Sequence, residues 1–141
     1  MINDGLKMTG AVAIALNGEV VQEIPNLVVT AGKNFVASRM KDTTKAAMTH
    51  MAIGTNNTTA AVTQTALSAE VTRGALTSTT VSTNTIAYVE TFAAGTGTGA
   101  IVEAGVFNAS SSGDMLCRTV FAVVNKGSAD AMTITWTITV S

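Results

Sequence analysis

The final stretch of the chain, Met132-Thr133-Ile134-Thr135-Trp136-Thr137-Ile138-Thr139-Val140, alternates apolar residues with threonine without a break. Successive side chains of a β-strand point to opposite faces, so Met132, Ile134, Trp136, Ile138 and Val140 share one face and the four threonines share the other. A helix would scatter the same residues around its circumference. Every residue after Met132 is β-branched or aromatic, the types that fit a pleated, half-buried surface. The stretch is therefore a strand with one face on a core. A chain made mostly of such strands carries few groups able to do chemistry.

The rest of the sequence fits that pattern. Hydrophobic residues make up 47% of the 141 positions, but charged residues only 12%, about half the usual share. Thr, Ser and Asn must supply the polar surface, and soluble monomers ordinarily carry more charge than this. Much of the surface is thus expected to be covered by copies of the chain or by a partner. Eight basic and nine acidic residues give a net charge of −1. Without a basic patch, nucleic acid is not the expected partner. Lys33, Arg39, Lys41 and Lys45, with Asp42 among them, read as the solvated face of a helix. No run approaches the roughly 18 apolar residues of a membrane span. The start, Met1 to Lys7, does not read as a signal peptide, because an acid sits beside its lysine and the apolar run Ala11 to Leu16 is short. Synthesis in the cytoplasm is expected, followed by a soluble life or entry into an assembly. Cys117 is the sole cysteine, so no intramolecular disulfide is expected.

Met8 to Leu16 reads as a strand, Asn17-Gly18 as a two-residue hairpin turn, and Glu19 to Ile24 as the return, since both residues of a type I′ turn need positive φ. Pro25 ends the ladder or marks an edge. A short strand over Asn26 to Val29 follows. Thr30 is then expected to cap a helix over residues 31–41 that lays Phe35 and Met40 against a sheet. Met48 to Ile53 reads as a strand, closed by Gly54. A polar loop, 55–59, and a segment without periodicity, 60–69, come next. Val71 to Leu76 and Thr79 to Ser82 form either one long strand or two short ones. Strands over 85–93, 100–107 and 115–124 precede the terminal one. Roughly eight strands with regular turn signals predict an all-β fold, an antiparallel sandwich of jelly-roll type with one short helix. No repeat or linker divides residues 1–141, which form one domain.

Candidate chemistry is sparse. Gly95-Thr96-Gly97-Thr98-Gly99-Ala100 has the outline of a dinucleotide fingerprint, but that motif needs a helix N-terminus after it, and Ile101 to Phe107 reads as strand. His50 is the only histidine, so any nucleophile–base arrangement would have to use it; it opens a predicted strand with no acid nearby in sequence. Cys117 reads as a small core residue. One His and one Cys leave only scattered carboxylates to complete a metal site. Glu90 and Glu103 could be paired as acid and base. With Arg73 and Arg118 standing in similarly uncharged strands, ion pairing across strands or subunits is the better reading. Neither an enzyme nor a cofactor is expected. Trp136, Phe35, Phe107 and Phe121 are the expected core anchors.

Several phrases follow one another in a characteristic order: Asn26-Leu27-Val28-Val29-Thr30-Ala31-Gly32-Lys33-Asn34-Phe35; Met51-Ala52-Ile53-Gly54-Thr55; Thr65-Ala66-Leu67-Ser68-Ala69-Glu70-Val71-Thr72-Arg73; Ile101 to Phe107; Leu116-Cys117-Arg118-Thr119-Val120-Phe121; and the threonine strand. In this order, from about Asn26 to Val140, the chain resembles a group of small virion proteins of tailed bacteriophages, variously labelled head decoration (cement) or tail-fibre-like proteins. The resemblance implies a structural role with no active site. It also implies that Glu70, Arg73 and Glu103 fix a salt bridge or a turn. Residues 1–25 lie outside it and would form an N-terminal hairpin or an arm. The implied partner is the major capsid protein of a phage head. The chain would bind the capsid surface as a homo-oligomer, a trimer first and a dimer second. A tail-fibre or baseplate component is the alternative. A carbohydrate-binding module is more remote, since it would need exposed aromatic platforms.

Overall fold

The computed structural model describes residues 5–41 and 45–141. The first four residues of the segment read against a signal peptide, and Asp42 of the basic cluster, lie outside them. In chain order the elements are β1 (Met8–Leu16), β2 (Glu19–Pro25), β3 (Leu27–Val28), α1 (Thr30–Arg39), β4 (His50–Gly54), β5 (Glu70–Ala75), β6 (Ser78–Ser82), β7 (Thr85–Phe92), β8 (Gly99–Phe107), β9 (Met115–Lys126) and β10 (Met132–Val140). Two five-stranded antiparallel sheets pack together as an all-β sandwich, in the orders β2-β1-β10-β7-β6 and β3-β9-β8-β4-β5. The first strand lies beside the last. The other neighbours include four sequential hairpins, β1–β2, β4–β5, β6–β7 and β8–β9, each kept within one sheet.

Alternation places the core. β1 and β10 pair from Met8↔Val140 to Leu16↔Met132 without a shift, so Val12, Ile14, Ile134 and Trp136 fall on one face and are fully buried. Across from them the second sheet contributes Met51, Ile53, Ile101, Val106, Cys117 and Phe121 to the same cluster. The Asn17-Gly18 turn has φ of 52° and 83°, as a type I′ hairpin requires. The uncertain stretch 71–82 is two strands, β5 and β6, on different sheets; the chain crosses the sandwich at Leu76-Thr77.

The helix departs from expectation in two ways. Thr30 is its first residue, not its cap; Val29 holds the cap position, and no side chain caps it. Met40 lies just past the last helical residue and is 82% exposed, instead of packing on a sheet. The buried contacts come from Phe35 and Gly32. A Cβ at position 32 would collide with the Leu116 carbonyl, so glycine is what lets the helix backbone rest directly on β9.

The second sheet is covered on both faces. Val29, Ala52, Leu67, Phe107 and Met115 form a smaller cluster. Ala52 belongs to it while its neighbours Met51 and Ile53 face the main core, as strand alternation dictates. Phe107 therefore anchors the outer cluster, whereas Trp136, Phe35 and Phe121 belong to the main one.

Candidate functional site

The densest polar arrangement sits on the outer face of the second sheet. Glu103 of β8 and Arg118 of β9 are diagonal neighbours, since Gly105 pairs with Arg118 and Glu103 with Val120. Both side chains are completely buried, with Arg118 Nη2 2.9 Å from Glu103 Oε1. Segment 55–69, which joins the polar loop 55–59 to the stretch 60–69 without periodicity, folds over them. Arg118 donates to Glu103 through Nε and Nη2, to the Thr58 carbonyl and Gln64 Oε1 through Nη1, and to Ser68 Oγ. Glu103 accepts in addition from the backbone amides of Asn56, Ser68 and Ala69. Every guanidinium N–H is used, which is how a buried charge pair offsets its desolvation. Gly54 gives the carboxylate room: a Cβ there would meet the Ala69 carbonyl and Glu103 Oε2.

A second pair ties a different loop. Arg73 donates in a fork to both carboxylate oxygens of Glu70, at 3.0 and 2.7 Å. Its Nη1 also reaches the carbonyls of Ala109 and Ser112, at 3.0 and 2.9 Å. The guanidinium lies 3.7 Å from the Phe107 ring centroid, a cation–π position. Arg73 thus fixes the β8–β9 turn to the sheet edge.

Glu90 joins neither arginine. It is buried between the sheets, where one carboxylate oxygen accepts from the Thr77 hydroxyl and the Thr91 amide, at 2.8 and 2.9 Å. Its neighbour across the gap is Gly74, whereas Glu103 lies on the far side of the second sheet. The two glutamates share no cleft, and an acid–base pair cannot be built from them.

One buried cation was missed by sequence reasoning. Lys126, at the end of β9, is 1% exposed and donates to the carbonyls of Ala93 and Asp130, at 2.9 and 2.7 Å. Burial pushes its ammonium below the ordinary lysine range, and the charge of Asp130 opposes this. Hydrogen bonds from Asn17 and the Gly127 amide hold the Asp130 carboxyl below the usual range. The β1–β2 and β9–β10 turns are thereby clasped together, with Asn17 also bonded to Ala131. The only prior signal was a lysine beside a Gly-Ser-Ala-Asp turn.

The remaining candidates stand apart from these networks. His50 opens β4 half-exposed, its Nδ1 2.7 Å from the Thr49 hydroxyl. Cys117 is fully buried, and burial pushes its thiol up, away from the thiolate form a nucleophile needs. Gly95 to Gly99 leads into β8, so no helix N-terminus faces it. Lys45 pairs with Asp114 at 3.2 Å, and Arg39 donates to the Lys45 carbonyl. Among the described residues, no three His, Cys, Asp or Glu side chains come together, and no helix is long and apolar enough to cross a membrane. All six aromatic side chains are at least nine-tenths buried, which leaves no aromatic platform for a sugar ring.

What the fold does present is a face. The outward side of the first sheet carries Thr133, Thr135, Thr137 and Thr139 on β10. Alanines of β1 flank them on one side, and Thr, Ala and Val of β7 on the other. Thr91 and Thr133 link their hydroxyls at 2.9 Å across the strands. From β1 through β10 and β7 to β6 this face bears no charged side chain, and Glu23 of β2 stands at its margin opposite Ala13. Compared with known proteins, the chain matches no family model, no curated protein and no solved structure.

Proposed function

We propose that this chain is a structural virion protein of a tailed phage, one that decorates the head by binding the major capsid protein and working as a homo-oligomer. The observation that carries the reading is the charge-free outer face of the first sheet from β1 to β6, covered mainly by small Thr, Ala and Ser side chains. Such a face has no charge to desolvate, and its small side chains let another surface approach closely while the hydroxyls find partners across the contact. Soluble monomers usually protect themselves with more charge. The buried polar groups give further support, because Glu103 and Arg118 spend their hydrogen bonds on holding a loop. The resemblance of the ordered phrases between Asn26 and Val140 to phage decoration and tail-fibre-like proteins points the same way. Packed DNA strains a shell where capsomers meet, and a small rigid domain repeated by symmetry can bridge such seams through many modest contacts.

The test is reconstitution. Heads lacking the chain are mixed with the purified protein, and the temperature at which they release DNA is measured. Saturable binding with a raised release temperature is expected. Heads that neither bind the protein nor gain stability would refute the decoration role.

A further inference from the structure

We infer that the chain self-associates through strand β6, which pairs antiparallel with β6 of a second copy and joins the two first sheets into one ten-stranded sheet. This deepens the homo-oligomeric part of the reading above and rests on it.

An exposed sheet edge is a template for pairing, and folded proteins blunt theirs with charge, proline, bulges or brevity. Three of the four edges here are blunted. β2 carries Glu19, Glu23 and Pro25, and its pairing with β1 has an irregularity at Ile14/Ala15. β3 is two residues long. β5 carries the Glu70–Arg73 ion pair. β6 carries no charge or proline, and its one irregularity lies at its very start, where the Thr77 amide bonds the carbonyl of Val89, the register partner of Ser78. Its five residues, Ser-Thr-Thr-Val-Ser, are all exposed and pair with β7 in unbroken register. No charged residue occurs between Arg73 and Glu90.

The register defines what the edge offers. Ser82 and Thr85 flank a two-residue turn, so their peptide groups bond each other, and alternation turns those of Thr80 toward β7 as well. The N–H and C=O groups of Thr79 and Val81 then point away from the sheet. A two-fold axis at Thr80 sets Thr79 opposite Val81 of the second copy, and all four outward peptide units meet in hydrogen-bonded pairs. The segment is its own complement, and no like charges face each other across the axis.

A second feature lies at the same place. Val81 is 71% exposed although its register with Ile86 turns it toward the inner face. Beside it runs an apolar groove lined by Val81, Ile86, Ile138 and Val140, closed by Thr83 and Asn84. An added strand extends the sheet over this end and shields Val81. Five residues span about 17 Å, so the contact is small. It belongs to the weak class that operates at high local concentration.

Sedimentation equilibrium from about 10 µM to about 1 mM, with hydrogen exchange at both extremes, tests this on the full chain. The wild type should shift from one copy toward two, and the Thr79 and Val81 amides should gain protection with concentration. Val81→Lys should weaken association at least about tenfold with an unchanged melting temperature; Thr79→Lys, at a second exposed site, should do the same. Association of both variants as strong as wild type would overturn the β6 interface and leave self-association standing. A wild type that stays monomeric throughout would overturn both.

Discussion

Replacing Arg118 by methionine probes what the fold depends on. The side chain is fully buried, and its five donated hydrogen bonds join Glu103 to segment 55–69. Methionine fills most of the volume but leaves the Glu103 carboxylate buried with only the three amides of Asn56, Ser68 and Ala69. The Thr58 carbonyl and Gln64 Oε1 each lose a donor as well. Removing one member of a buried pair costs about 3–5 kcal/mol, chiefly through the charge left behind. That is a large part of the roughly 5–15 kcal/mol that holds a domain folded. For a chain of this size it corresponds to a fall in Tm of roughly 10–20 °C. Trp136 is the only tryptophan and is fully buried, so its fluorescence in a urea titration reports the transition directly. The amides of Ser68 and Ala69 should exchange faster as well. A loss below about 1 kcal/mol, with those amides still protected, would refute the argument.

Trp136→Ala should cost about 3–5 kcal/mol by urea unfolding followed by circular dichroism; Trp136→Phe should cost less, since the indole N–H has no partner among the described residues. A cost under about 1 kcal/mol for the alanine variant would mean that the core face of β10 is misassigned. Burial and the nearby Cys117 push the Tyr88 phenol up to about 12. Because the neutral form is favoured in the folded state, this stability is complete below pH 10 and is lost as pH rises from about 10 to 12, by roughly 2–3 kcal/mol. Tyr88 is the only tyrosine, so phenolate absorbance should titrate near 12 when folded and near 10 in urea; equal midpoints would contradict its burial. The depressed Asp130 carboxyl works in the opposite range, contributing above its ordinary pKa and fading as pH falls below it, and Asn17→Ala should flatten that acid limb.

Period-2 alternation was legible wherever a strand has one wet and one buried face. The terminal strand, the Asn17-Gly18 hairpin and the register of Ile86, Tyr88 and Phe92 follow from local chemistry alone. Less legible was everything decided by distant contacts. Met40 looked like a core residue because helical spacing placed it near Phe35, but the helix ends at Arg39 and rests on β9 through Gly32, whose missing side chain is a packing signal that hydrophobicity does not carry. Glu90 and Glu103 looked alike as lone acids in apolar strands. Only the sheet order shows that one lies between the sheets and the other beneath a loop. The loop 55–59 and the stretch 60–69 showed no periodicity because their order comes from groups bonding to Glu103 and Arg118 rather than from a repeating face. Lys126 gave no sign of burial in the sequence because that burial depends on two carbonyls from separate loops.

The decoration role is tested most directly by counting this chain against the major capsid protein in purified virions with quantitative mass spectrometry. Hundreds of copies per particle are predicted, as a protein repeated across a shell requires. A few to a few dozen would move it to the tail, and absence from particles would contradict the structural role altogether.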